Sequence, residues 1–285
     1  MLYNLREYHR PTDINEALQL LRRSDVRTVA LGGGVSVVGE GEPDIEAVVD
    51  LDGLGLDFIE QQNGILRIGA TVRLQTLVDE MEQVAGGLLA KAARQMAGPN
   101  IRNMATLGGA LGSRKIHSPL SVSLAALQAQ TEIDGQANEM PLWADLAGQI
   151  QRQGMDGHLI TAVCVGLSDD PIGASYQQVG RTPADYPIVC VAAVTYPSGN
   201  GGSQVCAAIG GLTHDLIVIS GLVEASIPRR SVEGIVAEVV PHEAPDTAYI
   251  SDFLGSAEYR RSVAPLLTQR ALIDALGQIG IQAEG

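Results

Sequence analysis

Ile101-Arg102-Asn103-Met104-Ala105-Thr106-Leu107-Gly108-Gly109 follows a helical stretch and Pro99, and it ends in paired glycines beside a hydroxyl side chain. Residues lacking Cβ let the backbone approach another group closely and leave peptide N–H groups open to an anion, so the stretch reads as a tight turn suited to phosphate. A lone Thr-x-Gly-Gly is more often a structural turn, here ahead of the apolar run Ser121 to Leu127. A second stretch changes that balance. In Thr28-Val29-Ala30-Leu31-Gly32-Gly33-Gly34-Val35-Ser36 a short apolar strand runs directly into three glycines, so two glycine turns lie on either side of a helix.

Together these stretches resemble the flavoprotein (medium) subunit of the molybdenum hydroxylases, the family of carbon monoxide dehydrogenase, xanthine dehydrogenase and related hydroxylases. In that family an Ala-Gly-Gly turn and an Ile-Arg-Asn-x-(Ala or Gly)-Thr-(Leu or Ile)-Gly-Gly turn wrap the pyrophosphate of FAD. The resemblance implies cofactor contacts from Leu31, Gly32, Gly33, Gly34, Val35 and Ser36 in the first turn. In the second it implies Ile101, Arg102, Thr106, Leu107, Gly108, Gly109 and Ala110. It extends to Gln178-Val179-Gly180-Arg181-Thr182-Pro183-Ala184-Asp185-Tyr186, where Tyr186 falls near the expected isoalloxazine, and to the helix motif Gly255-Ser256-Ala257-Glu258-Tyr259-Arg260-Arg261. Four matches in the right order span nearly the whole chain. They imply an α+β protein, with a two-subdomain FAD-binding domain of the vanillyl-alcohol-oxidase type over 1–172, its subdomains about 1–55 and 56–172. A smaller α+β C-terminal domain over 173–285 follows.

Composition bounds the reading. The 285 residues, 45% hydrophobic, are long enough for two domains. A net charge of -14 argues against a nucleic-acid surface and against attraction to anionic lipids. The N-terminus lacks a basic segment followed by a long apolar stretch, and no run reaches the roughly 18 apolar residues of a membrane span. A cytoplasmic protein without membrane insertion is expected. Cys164, Cys190 and Cys206 sit apart in apolar contexts and read as buried thiols of a reducing compartment. Three scattered cysteines do not make an iron–sulfur site, and the five histidines do not make a metal site.

Along the chain, Asp13 to Glu16 reads as a capping box opening a three-turn helix with Ile14, Ala17, Leu18 and Leu21 on one face. Val29–Leu31 and Ala47–Leu51 read as strands of a small β-α-β unit, with a loop over Gly39 to Asp44. Asn63-Gly64 signals a hairpin between Leu56–Glu60 and Ile65–Ala70. Leu88 to Met96 predicts an amphipathic helix, Pro119 to Ala129 a buried one, and Leu159 to Leu167 a buried strand closing the first domain. Ser168 to Gly173 has linker composition. Strands are predicted at 175–179, 188–195, 205–209 and 216–218, with a hairpin loop over Pro197 to Gly202. Helices follow at 230–240 and about 257–277, the latter capped by Ser256.

The resemblance implies that this chain makes and breaks no substrate bond and contributes no catalytic side chain. Molybdopterin would sit on a large partner subunit and two 2Fe-2S clusters on a small one; FAD, bound non-covalently here, would pass electrons to NAD, a quinone or oxygen. The chain departs from the family pattern in places. Gly34 and Val35 stand where a hydroxyl or acid is usual, with Ser36 one step late, and Ala110 replaces an Asn or Asp. The loop Gly112 to Pro119 is about two residues short, with His117 near the position of a cofactor-binding Asp. Three missing hydrogen bonds at about 0.5 to 1.5 kcal/mol each would weaken binding by one to three orders of magnitude. Arg102, Arg114 and Lys115 are candidate compensating cations, and Arg102 is equally suited to pinning the loop to a carboxylate. The alternative is a family member that has lost FAD and survives as a structural or assembly subunit.

Overall fold

The computed structural model describes residues 2–113, 115, 118–141, 157–182, 185–198, 202–240 and 248–282. The chain packs into two compact units that alternate along the sequence. The first comprises Met1–Leu77, Ala97–Lys115 and Ala129–Gly166; the second comprises Val78–Met96, Ile116–Gln128 and Leu167–Gly285.

The first unit holds two sheets. One is parallel, in the order β1 (Glu7–His9), β3 (Ala47–Asp50), β2 (Thr28–Leu31). Between its strands run α1 (Ile14–Leu21) and α2 (Val35–Glu40). Asp13 caps α1 by accepting from the Glu16 N–H at 2.9 Å. The Glu16 carboxylate reaches back to the N–H of Thr12 at 2.9 Å, one residue before the cap. The helix has eight residues, about two turns rather than three. Its apolar stripe buries Ala17, Leu18 and Leu21 against Val49, Leu51, Leu56 and Leu159.

The other sheet is antiparallel: β4 (Ile59–Gln62), β5 (Ile65–Gly69), β8 (Ile160–Gly166), β6 (Gln130–Ile133), β7 (Gln136–Pro141). Asn63 and Gly64 have φ of 52° and 73°, as the predicted two-residue hairpin turn requires. Arg67 on β5 spans to Glu132 on β6 with two parallel bonds, Nε to Oε1 at 2.6 Å and Nη2 to Oε2 at 2.7 Å. That guanidinium holds the Glu132 carboxyl below its usual range. Cys164 lies beside it on β8, its thiol pushed up to about 11 by burial and then by the Glu132 charge. The short helices α3 (Leu74–Glu80), α5 (Pro99–Arg102) and α6 (Leu107–Gly112) complete the elements that bear on the site.

The second unit is built on an antiparallel meander, β9 (Gly173–Val179), β10 (Val189–Ser198), β11 (Gly202–Gly210) and β12 (Ile217–Glu224). Val189, Val191 and Ala193 of β10, with Val205, Ala207 and Ile209 of β11, alternate onto one face. There they meet Ala264, Leu267, Ala271, Leu272, Ala275 and Leu276 of the long C-terminal helix (Ala257–Gln278), capped by Ser256. A shorter helix, Pro228–Ala237, packs on β12. The helix α7 (Pro119–Ala126), buried along its whole length, packs on β10 and β11 and against α4 (Leu88–Met96). Cys190 and Cys206 are buried, and burial pushes the Cys190 thiol up to about 12 and raises that of Cys206.

Several elements differ from expectation. α2 occupies the start of the stretch read as a loop; its Val-rich sequence is a poor helix former and its cap is Gly34 with no side-chain bond. β1 and α3 are too short or too weakly patterned to stand out in sequence. β10 and β11 run to Ser198 and from Gly202, extending both strands into the stretch predicted as a hairpin loop. The segments 78–96 and 116–128, read as part of the first domain, pack within the second unit. Among the described residues no helix is long and apolar enough to cross a membrane.

Candidate cofactor site at two glycine turns

The two glycine turns meet. A Cβ on Gly33 would stand 1.7 Å from the Met104 carbonyl oxygen, and one on Gly32 2.6 Å from the Thr106 Oγ1. Any side chain at either position would push the turns apart, so both glycines serve close backbone approach. Gly34 serves conformation: its φ of 74° lies in the left-handed region, and it turns the end of β2 into the start of α2.

The turns differ in what they leave free. The first backbone bond of α2 runs from the Val38 N–H to the Gly34 oxygen at 2.9 Å, so the N–H groups of Val35, Ser36 and Val37 have no acceptor in their own helix. Leu31 to Val37 are all half-buried. In the second turn the N–H groups are spent within the protein. Leu107 donates to Val72 O at 2.9 Å, Gly108 to Ala70 O at 2.8 Å, Gly109 to Thr106 Oγ1 at 3.2 Å and Ala110 to Thr106 O at 2.9 Å. The expectation that both turns offer backbone donors to a diphosphate is therefore corrected. Gly108 and Gly109 lie in the first turn of α6, which Thr106 caps, and Gly108 is small because Ala70 Cβ would stand 2.8 Å from a Cβ there. Leu107, Thr106 and Ala110 are buried, while Ile101 is exposed.

Arg102 is tied down locally. Its Nε donates to the Gln75 amide oxygen at 3.0 Å and its Nη1 to the Ala97 carbonyl at 2.6 Å, which pins the loop. Lys115 lies 3.7 Å from Glu40 at the end of α2. His117 and Arg114 lie outside the described residues. Sequence reasoning passed over Arg73. Its Nη1 donates to the Met104 carbonyl at 2.5 Å and lies 3.0 Å from the Cβ position of Gly33, directly beside the first turn. Asp50, at the carboxyl end of β3, is buried; it accepts from the Tyr8 hydroxyl and the Asp52 N–H and pairs with Arg10 at 3.4 Å. Ligands of parallel sheets gather at this end of the strands.

Tyr186 and Asp185 belong to the second unit, on the connection between β9 and β10. Tyr186 is 37% exposed, and the Asp185 N–H turns back to Thr182 O at 3.2 Å. The neighbouring Arg260 is the best-held side chain of the C-terminal motif. It donates to the carbonyls of Ile188, Gly211 (2.6 Å) and Gly255 (3.3 Å), and to Asp252 Oδ1 (2.6 Å). Among the described residues no cluster of three or more His, Cys, Asp or Glu could hold a metal ion.

The residues present suit a diphosphate on the first turn: unpaired helix-start N–H groups, no Cβ at Gly34 in their way, and an arginine alongside. Side-chain acceptors and donors at 34, 35 and 110 are absent, as the sequence has it.

Residues 3–166 match the family model of the FAD binding domain in molybdopterin dehydrogenase, and residues 174–275 match that of the CO dehydrogenase flavoprotein C-terminal domain. The nicotine 6-hydroxylase medium subunit of Paenarthrobacter nicotinovorans is 28% identical over 94% of this chain and 96% of its own. The glyceraldehyde dehydrogenase medium chain of Sulfolobus acidocaldarius is 26% identical over 93% and 96%. In fold, a chain of carbon monoxide dehydrogenase from Hydrogenophaga pseudoflava superposes with a TM-score of 0.83 at 21% identity, covering 98% of this chain and 99% of that one.

Proposed function

The chain belongs to the FAD-binding medium subunits of the molybdenum hydroxylase family, and from that premise we propose that it retains FAD non-covalently and passes electrons through it. It is an oxidoreductase component, the medium subunit of a type of complex whose molybdopterin and iron–sulfur clusters are carried by other subunits. Bound FAD supplies two-electron redox chemistry. Everything else is the chain's own work: binding, orientation and exclusion of water.

The observation that carries the reading is the contact between the turns, in which Gly33 meets the Met104 carbonyl and leaves the first-turn N–H groups of α2 available. In this reading Gly32 to Ser36 hold the diphosphate by backbone donors. Leu31 lines the approach. Thr106 to Ala110 act one step back, as the wall that fixes the first turn; Ile101 and Arg102 hold that wall's loop, with Arg102 already spent on Gln75 and Ala97. His117 and Tyr186 remain proposed cofactor contacts. Electrons arriving from the small subunit leave to NAD, a quinone or oxygen, in the cytoplasm. The functional boundary lies at 168–173.

The test is an absorbance spectrum of the purified chain between roughly 300 and 600 nm, before and after adding FAD and removing the excess by gel filtration. About one flavin retained per chain is expected. A folded, colourless protein, both alone and with its partner subunits, would sink the reading and leave the structural-subunit alternative.

A further inference from the structure

We propose that Arg73 is a diphosphate-binding residue of this chain, its guanidinium supplying the side-chain donors that positions 34, 35 and 110 do not offer. The inference rests on the FAD reading and deepens it. Arg73 stands at the junction of the two turns: its Nη1 donates to Met104 O at 2.5 Å and lies 3.0 Å from the point where a Gly33 Cβ would be. Gly33 lies two residues before α2 opens, so the guanidinium stands against the first turn itself. The side chain is 37% exposed, and a guanidinium carries five N–H donors. Among the described residues its partners are the Met104 carbonyl and, at 3.8 Å, the Asp52 carboxylate. Neither consumes the fork.

Charge argues the same way. A diphosphate brings negative charge into a chain of net charge -14. Among the described residues the other cations around the turns have partners: Arg102 on Gln75 and Ala97, Lys115 near Glu40, Arg10 beside Asp50 and Asp52. Asp52, 63% exposed, holds Arg73 only loosely and competes with any anion for it.

The experiment uses the full chain and three probes read by fluorescence and calorimetry: FAD, ADP as the diphosphate without the flavin ring, and riboflavin as the ring without phosphate. Arg73→Met is expected to weaken FAD and ADP about ten-fold, the worth of one charge-assisted hydrogen bond in a half-exposed site, and to flatten the salt dependence of both. Riboflavin binding stays unchanged. Arg73→Lys recovers part of the loss, and Asp52→Asn tightens ADP about two-fold by removing the competitor. Equal losses for FAD and riboflavin, or unchanged ADP binding in Arg73→Met, would overturn the role. Should Arg73→Met fold poorly, the Asp52→Asn arm decides alone: no tightening overturns it. A wild-type chain that takes up neither FAD nor ADP would overturn the FAD reading itself, and the inference with it.

Discussion

The two units each contain a glycine pressed against a carbonyl oxygen that an arginine also grips. In the second unit a Cβ on Gly211 would stand 2.3 Å from Ile188 O, and the Arg260 guanidinium holds that same oxygen. In the first, Gly33 meets Met104 O, and Arg73 holds it. The surroundings separate them. Arg260 is 2% exposed and has four of its five N–H groups on three carbonyls and Asp252, sealed away from any ligand. Arg73 is 37% exposed and lightly loaded. One device thus does two jobs: sealed, it is a rivet; open at one side, it is a rivet with spare donors.

Substitutions can break that contrast, beginning with the sealed joint. Arg260→Met should cost about 3 to 5 kcal/mol in denaturant unfolding, because it strands buried carbonyls and the Asp252 carboxylate. A loss under about 1 kcal/mol would mean that the joint is not structural. Gly33→Ala should cost about 3 kcal/mol, since its Cβ meets backbone that cannot swing aside, and should abolish flavin retention. Retained flavin at full occupancy would show that the turns need not touch. Thr106→Ala removes the cap of α6 and should cost about 1 kcal/mol, with flavin affinity falling less than in Gly33→Ala. The reverse order would make the hydroxyl a ligand group instead of a cap.

The smallest effect concerns a third arginine joint, at the surface of the parallel sheet. Arg23 grips Glu7 at 2.6 Å with His9 at 2.8 Å on the same oxygen, and these bonds hold the Glu7 carboxyl down at about 2. A depressed carboxyl stabilises the fold fully above its usual value near 4.5, and the contribution fades as pH falls toward about 2. Thermal melts of wild type and Glu7→Gln should therefore converge across that window. Parallel curves from pH 5 to about 2 would show the joint to be solvated.

Legibility followed locality. Asn63-Gly64, the Asp13 and Ser256 caps, the Leu88–Met96 stripe and the buried Pro119 run are signals carried within a few residues, and each produced its element. The Gly-Gly pairs announced close approach correctly, but sequence does not say which face of the approach keeps its N–H groups. The second pair lies inside a helix whose donors reach Ala70 and Val72, more than thirty residues earlier. Arg73 sits in an apolar stretch with no local pattern, and its meaning comes from Met104 and Gly33, both distant in sequence. The packing of 78–96 and 116–128 within the C-terminal unit was hidden for the same reason: their periodicity marks a buried face without naming its partner.

The cysteines bring an experimental advantage. With the Cys164 thiol near 11 and that of Cys190 near 12, only about one molecule in ten thousand or fewer carries either thiolate at neutral pH, and the Cys206 thiol is raised in the same direction. To a maleimide the native chain is nearly silent. A single cysteine placed at an exposed position, such as Phe253 in the second unit, would label almost without background, so each unit can be given its own reporter while the native sequence elsewhere stays intact.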